Sequence, residues 1–280
     1  MIKSSLRVFS KLLFVTMIPG LIVAQAQTAL GDTSPPSLQE FSFHPNRFDT
    51  SLGVAQVNIS LRIEDDLSGL ALGAVGFASP SGQHSVASAI SRRDLVKGNS
   101  TNGEYFITLE FPRYSEQGTW TVQYLFVRDN ASNLRHYDTQ ALANLGFSTS
   151  LNQTGEGDVT PPELRDLNFS HTDVNTGRQS MRVTVTADIA DAPAGFWQAA
   201  MMFRSPSGNR SITGTIRQNN LVEGDIIKGR YSIVLEFPPN SEQGIWEIVV
   251  FSLRDTALNS ISYVADELEA LGFQTTIRVQ

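Results

Sequence analysis

The stretch SEQGTWTVQYLFVRDNASN, residues 115–133, decides the fold. Within it Trp120, Val122 and Tyr124 alternate with polar residues, which is the two-residue period of a strand with one buried face. A Gly-containing turn precedes this strand, and the acidic turn sequence DNASN follows it. A closely related stretch, SEQGIWEIVVFSLRDTALN, occupies residues 241–259. The sequence therefore predicts the same strand and turns twice.

The repetition extends over nearly the whole chain. Residues 32–154 align with residues 158–280 at a constant offset of 126 without a gap, and 43 of the 123 aligned pairs are identical. A fixed period that covers both halves indicates two copies of one domain. We therefore predict repeat 1 at 32–154 and repeat 2 at 158–280. The linker TGEGDVTPP at 154–162 ends in a proline pair, which favours a stiff, extended connection.

Short alternating strands fill both repeats and predict an all-β fold of two tandem antiparallel β-sandwiches. One helical pattern recurs, with apolar residues spaced three apart before a glycine, ahead of a last strand. The predicted strands lie at 57–63, 105–111, 183–189 and 231–237, the helices at Thr139 to Leu145 and Ala265 to Leu271, and the last strands at 148–153 and 274–279.

Residues 1–26 have the pattern of an export signal. Lys3, Arg7 and Lys11 precede an apolar run of about 12 residues, and Ala24-Gln25-Ala26 provides the small-x-small cleavage pattern. The run is shorter than the ~20 residues needed to span a bilayer. We expect cleavage after Ala26, no membrane span afterwards, and a secreted, periplasmic or cell-surface location.

Charge and cysteine content narrow the partners. The chain has 21 basic and 28 acidic residues, and cleavage would remove three basic ones, leaving 18 − 28 = −10. A net negative surface without a basic patch disfavours nucleic acid. The chain has no cysteine, which excludes disulfides and thiol chemistry.

Several motifs are similar to bacterial immunoglobulin-like repeats of exported surface proteins. EQGTW at 116–120 and EQGIW at 242–246 resemble the corner that begins strand F of such domains, with Trp in place of Tyr. VRDNASN at 127–133 and LRDTALN at 253–259 resemble the D-x-A-G-N turn, with Ser132 and Leu258 in place of its glycine. DDLSG at 65–69 is similar to a D-x-S-G turn of the same repeats. The resemblance implies an immunoglobulin-like sandwich, and a corner Trp would donate its indole N–H in place of the tyrosine hydroxyl.

The resemblance also implies a candidate calcium site, because the B to C and F to G loops of such a sandwich lie at one end. Aspartate and asparagine oxygens are suitable calcium ligands, and any site would have the weak affinity of extracellular modules, ~10⁻⁴ to 10⁻³ M. The alternative is that these side chains only accept hydrogen bonds from turn amides. Linker residue Asp158 is expected near the repeat 2 group. The candidate ligands are Asp65, Asp66, Asp129 and Asn133 in repeat 1, and Asp191, Asp255 and Asn259 in repeat 2.

No catalytic motif is visible, so we do not expect an enzyme. None of the four histidines aligns with a histidine of the other repeat. Trp197 has no aromatic counterpart either, since Ala71 aligns with it, and an exposed tryptophan can stack on a sugar or anchor a protein. A role in the core or in a contact between domains is the alternative for Trp197.

Two classes of function remain open. The first is a non-catalytic exported binding or adhesion module that takes a protein or glycan ligand at a cell surface. The second is a structural, spacer or accessory protein of the cell envelope, which calcium would make rigid. No cofactor other than calcium is predicted.

Overall fold

The computed structural model describes residues 31–280, so the predicted signal peptide lies outside the described residues. Repeat 1 consists of short strands, one helix and a single 3-10 turn at Arg92–Asp94. Its elements are β1 (Ser37–His44), β2 (Arg47–Phe48), β3 (Ala55–Glu64), β4 (Leu70–Ala78), β5 (Ser85–Ser91), β6 (Leu95–Gly98), β7 (Asn102–Phe111), β8 (Gly118–Asp129), β9 (Leu134–Tyr137), α1 (Thr139–Asn144) and β10 (Ser150–Gln153).

Repeat 2 has the same elements in the same order, with its 3-10 turn at Gln218–Asn220. They are β11 (Glu163–Phe169), β12 (Asp173–Val174), β13 (Met181–Ala190), β14 (Phe196–Arg204), β15 (Ser211–Arg217), β16 (Leu221–Gly224), β17 (Lys228–Phe237), β18 (Gly244–Asp255), β19 (Ser260–Tyr263), α2 (Ala265–Ala270) and β20 (Thr276–Val279).

Each repeat folds into two facing sheets. In repeat 1 one sheet has the order β1-β3-β7-β6, and the other has β2-β10-β8-β4-β5 with β9 paired to β8. The corresponding orders in repeat 2 are β11-β13-β17-β16 and β12-β20-β18-β14-β15. One hydrophobic core lies between the two sheets of each repeat, which is the arrangement of a β-sandwich. The predicted fold class of two tandem β-sandwiches, each with a short helix before its last strand, is confirmed.

The corner tryptophans belong to the core of each repeat. Trp120 packs edge-on against Phe111 with ring centroids 5.1 Å apart, and its indole nitrogen donates to the Glu116 carbonyl at 2.9 Å. Trp246 donates to the Glu242 carbonyl in the same way, at 2.8 Å. The prediction that the indole N–H makes the corner hydrogen bond is confirmed. A buried donor and a buried carbonyl are thereby satisfied together.

The recurring SPSG and SEQG turns are joined by one carboxylate in each repeat. Glu116 accepts hydrogen bonds from the backbone nitrogen and the hydroxyl of Ser81, at 2.9 and 2.6 Å. Glu242 accepts the same pair from Ser207, at 2.7 and 2.7 Å. These hydrogen bonds hold the pKa of Glu242 below its usual value. The two motifs therefore recur together, because the SPSG turn supplies the serine donors and the SEQG turn supplies the glutamate acceptor.

The two turns that resemble D-x-A-G-N have a left-handed backbone at the position where that motif has glycine. Ser132 has φ +76° and Leu258 has φ +81°, both in the left-handed region. That region is costly for residues with a Cβ atom. The turn geometry is therefore retained against a local backbone cost at both positions.

No helix among residues 31–280 combines the length and the apolar character required to cross a membrane.

Candidate functional site: the junction between the repeats

Three aspartates meet where the linker enters repeat 2. Asp158 comes from the linker, Asp191 follows β13, and Asp255 ends β18. Their exposed fractions are 2%, 6% and 0%, and each offers a carboxylate oxygen within 4.8 Å of the others. We call these residues the junction trio. The predicted approach of Asp158 to Asp191 and Asp255 is confirmed.

Two members of the junction trio are well supplied with hydrogen bonds. One oxygen of Asp158 accepts from the nitrogen and hydroxyl of Thr160, at 2.9 and 2.7 Å, and the other accepts from the Ala194 nitrogen at 3.0 Å. Asp255 accepts from the backbone and side-chain nitrogens of Asn259, at 2.7 and 2.6 Å. These bonds fix the orientation of both carboxylates.

Asp191 is less well satisfied. Its Oδ2 is buried and has no hydrogen-bond partner among residues 31–280. Burial, followed by the charges of Asp255 and Asp158, raises the pKa of Asp191 to about 7. Burial is also the main cause that raises the pKa of Asp255 to about 6, against the hydrogen bonds from Asn259. The buried carboxyls of the trio therefore make one another harder to ionise.

Asn259 makes hydrogen bonds to both sides of the junction. Its amide oxygen lies 2.8 Å from Nε2 of His84, while its amide nitrogen donates to Asp255 and to the Asp158 carbonyl. This oxygen faces repeat 1, and the role of Asn259 as a calcium ligand stays a prediction. Asn259 connects the trio with the body of the other repeat.

The corresponding group in repeat 1 is more open. Asp32, Asp65 and Asp66 offer carboxylate oxygens within 4.8 Å of one another, but Asp32 and Asp65 are half-buried and Asp66 is exposed. Asp129 is buried and bonds the backbone and amide nitrogens of Asn133, at 2.8 and 2.6 Å. The sequence analysis did not predict Asp32 as a member of this group, although Asp32 in the segment GDTSPP aligns with Asp158 in the segment GDVTPP.

The linker is bound to repeat 1 through residues that repeat 2 lacks. Gln153 is buried, and the aligned residue in repeat 2 is Val279. The amide nitrogen of Gln153 donates a hydrogen bond to the Ser115 carbonyl at 2.7 Å, and its amide oxygen accepts one from the Gly155 nitrogen. A Cβ atom on Gly157 would lie only 2.6 Å from the backbone nitrogen of Gln117. Glycine is therefore required where the linker crosses the SEQG turn of repeat 1.

Two further residues of repeat 1 contact repeat 2. Tyr114 is buried against Ala194 and Ala257, and its carbonyl accepts from the Asp158 nitrogen at 2.9 Å. His84 bonds Asn259, as described above. The aligned residues in repeat 2 are Asn240 and Arg210. The junction is thus built by residues that differ between the repeats. The sequence analysis did not predict this role for them.

A cleft of about 580 Å³ opens beside the junction. Both repeats and the linker contribute to its walls, which are rich in hydrogen-bonding groups. Nε of Arg254 is buried and makes no hydrogen bond among residues 31–280. The lining residues include Ser81, Gln83, His84, Pro161, Arg254 and Asn259.

Trp197 adjoins this cleft through Arg254. Its side chain is 39% exposed at the start of β14, and the Arg254 guanidinium carbon lies 5.3 Å from the centre of a Trp197 ring. It also lines a second, shallower depression with Gln198 and Arg217. The tryptophan is thus partly accessible and sits next to a positive charge.

Two family matches divide the chain. Residues 30–156 match a family described as Domain of unknown function (DUF7743), and residues 157–277 match one described as Domain of unknown function (DUF7035). The matched ranges meet between Glu156 and Gly157, within the linker. A comparison with curated proteins found no match.

Two solved structures show a distant likeness to this chain. The crystal structure of red sea bream transglutaminase is 12% identical over 87% of this chain and 31% of that chain, with a TM-score of 0.27. A leucine-rich repeat protein from Bacteroides thetaiotaomicron is 10% identical over 70% of this chain and 22% of that chain, with a TM-score of 0.20. This chain spans less than a third of either protein. What characterises the chain is a tandem of two β-sandwich domains joined by a buried junction.

Proposed function

We propose that this chain is an exported, non-catalytic binding module of the adhesion type, and that its ligand lies in the cleft between the repeats. The observation that carries the proposal is that residues of both repeats line this cleft. The junction holds the two walls together through Tyr114 and the His84–Asn259 contact. A cleft at a domain interface with a few convergent polar groups is a common form of ligand site.

The chemistry of the cleft favours an acidic glycan. Arg254 supplies a positive charge in the wall of the cleft, and hydroxyls and amides of both repeats supply neutral hydrogen-bonding groups. A guanidinium binds carboxylates through charge-assisted hydrogen bonds. Trp197 beside Arg254 offers an aromatic edge for a sugar ring or an apolar group. A free acid group on a saccharide would use both features.

The non-catalytic part of the proposal rests on the sequence, which shows no G-x-S-x-G elbow and no histidine that recurs in both repeats. Export is supported by the signal pattern of residues 1–26. An export assay with the native leader fused to a reporter tests that part separately.

A glycan screen followed by calorimetry tests the ligand proposal. The mature full-length chain should bind acidic saccharides saturably, and Arg254→Gln should weaken binding at least about tenfold, as expected for a lost charged hydrogen bond. Arg128→Gln is the matched control, since Arg128 aligns with Arg254 and also has a buried Nε without a hydrogen bond among residues 31–280. Trp197→Ala should also weaken binding.

Equal losses in Arg254→Gln and Arg128→Gln, or full binding by Trp197→Ala together with Arg254→Gln, would refute this site.

The second candidate function is a structural or accessory protein of the cell envelope. The observation that favours it is the buried junction itself, which joins the two repeats as a rigid spacer requires. Concentration-dependent self-assembly in light scattering, with no saccharide or protein ligand in the screen, would favour this function over binding.

A further inference from the structure

The junction trio is a buried group of three acids without a positive partner. None of the ion pairs among residues 31–280 includes Asp158, Asp191 or Asp255. Removing a carboxylate from water is costly unless an opposite charge or hydrogen bonds compensate it. Hydrogen bonds from Thr160, Ala194 and Asn259 compensate two members. They leave the total charge of the group in place.

The second observation is the unsatisfied oxygen of Asp191. The residue is 94% buried, since its exposed fraction is 6%, and its Oδ2 has no partner among residues 31–280. A carboxylate oxygen of Asp191 lies within 4.8 Å of oxygens of both other members. An orphaned buried oxygen in a native fold requires an explanation, and a bound ion is one.

The spacing of the oxygens fits a calcium ion. Calcium–oxygen bonds of about 2.3–2.6 Å place ligands on opposite sides of the ion about 4.6–5.2 Å apart, and neighbouring ligands closer. Oxygens within 4.8 Å of one another fall in the range of separations that ligands of one calcium ion show. Magnesium–oxygen bonds of about 2.0–2.1 Å require a tighter cage. Carboxylates alone, with no imidazole in the group, favour hard cations over zinc or copper.

We propose that Asp158, Asp191 and Asp255 bind one Ca²⁺ ion, which connects the linker to the loops after β13 and β18. Asn259 lies against this site and bonds His84 of repeat 1, so the ion also supports the contact between the repeats. The inference does not depend on the ligand proposed for the cleft. It is confined to repeat 2, because the repeat 1 group is more exposed.

The test is calcium titration of the mature full-length chain after chelator treatment, by calorimetry and by thermal unfolding. We expect one site with a Kd of about 10⁻⁴–10⁻³ M, the range of extracellular modules. At a calcium concentration a hundred times Kd, the Tm of the transition that includes repeat 2 should rise by about 8–12 °C. Magnesium should bind at least about tenfold more weakly.

Asp191→Asn should fold, since it removes a buried charge, and should abolish the calcium-dependent rise. Asp65→Asn is the matched control at the aligned position of repeat 1 and should keep the rise. If Asp191→Asn is insoluble, Asp255→Asn replaces it and should also abolish the calcium-dependent rise. The wild-type chain should then also retain bound calcium after gel filtration in calcium-containing buffer.

Identical wild-type melting in 10 mM calcium and in chelator, with no heat of binding, would overturn the proposal. A rise that Asp191→Asn retains, or one that Asp65→Asn loses instead, would also overturn it.

Discussion

Tyr114 is the residue through which repeat 1 contacts the loops of repeat 2 most directly, and Tyr114→Asn tests the junction. The aligned residue of repeat 2 is Asn240, and both positions have positive φ, +60° and +55°. Asparagine tolerates the left-handed region better than tyrosine does. The substitution therefore removes the ring without adding backbone strain.

The magnitude follows from the buried ring. A buried tyrosine removes about 150 Å² from water, the low end for aromatic side chains. At about 25 cal/mol per Å², this area corresponds to about 4 kcal/mol. Part of the ring faces Arg113 of its own repeat, whose guanidinium carbon lies 4.4 Å from the ring centre. We therefore expect the free energy of coupling between the repeats to fall by about 2–3 kcal/mol.

Hydrogen exchange measured by NMR is the assay, because two amides report on the junction. The Asp158 nitrogen donates to the Tyr114 carbonyl, and the Ala194 nitrogen donates to Asp158. A loss of about 2–3 kcal/mol in local opening free energy should lower the protection of both amides about 30- to 150-fold. Protection of amides in the core strands of repeat 1 should change much less.

The reciprocal variant Asn240→Tyr is the control, since Asn240 is exposed and lies outside the junction. It should leave the junction amides unchanged. A loss of protection below about threefold in Tyr114→Asn, with both repeats folded, would refute the reasoning that this ring couples the repeats.

Three further variants test single features of the fold. Trp246→Phe removes the hydrogen bond to the Glu242 carbonyl and about 40 Å³ of side-chain volume. It should lower the free energy of unfolding by about 2–3 kcal/mol in a urea titration. A change below about 0.5 kcal/mol would contradict a stabilising role of this hydrogen bond and ring. Ser132→Gly relieves the left-handed backbone and should raise the unfolding free energy by about 0.5–1 kcal/mol in the same assay, and a decrease would show that no relief occurs. Asp188 has a pKa below its usual value because Arg230 donates to it, so its contribution to stability is present above pH about 4 and is lost as the pH falls through its lowered pKa. Asp188→Asn should therefore be less acid-sensitive than the wild type between pH 5 and 2, and parallel acid unfolding curves would exclude this contribution.

The secondary structure was largely predictable because it depends on local patterns. The alternation around Trp120 and Trp246 gave the correct strands, and the helices end one residue before the predicted Leu145 and Leu271. Both helix-ending leucines are the C-caps. The left-handed turns at Ser132 and Leu258 could not be foreseen from residue type, since neither residue favours that backbone.

The candidate site was predictable only in part. Alignment of the repeats and the loop positions brought Asp191, Asp255 and Asp158 together correctly. The burial of Asp158 and Asp191 could not be foreseen, because the aligned Asp32 and Asp65 of repeat 1 are only half-buried. The contact of Asn259 with His84 could not be foreseen either, because the two residues lie 175 positions apart in the chain.

The sequence by itself determined the architecture, because the two-residue period, the turn motifs and the repeat are written in adjacent residues. The tertiary structure alone decided what the differences between the repeats do. Nothing in the alignment of the repeats distinguishes the residues of repeat 1 that build the junction, which are Tyr114, His84 and Gln153. Their counterparts in repeat 2 are Asn240, Arg210 and Val279. The role of the repeat 1 residues comes from surfaces that meet only after both repeats have folded, where burial and hydrogen bonding are set by distant residues.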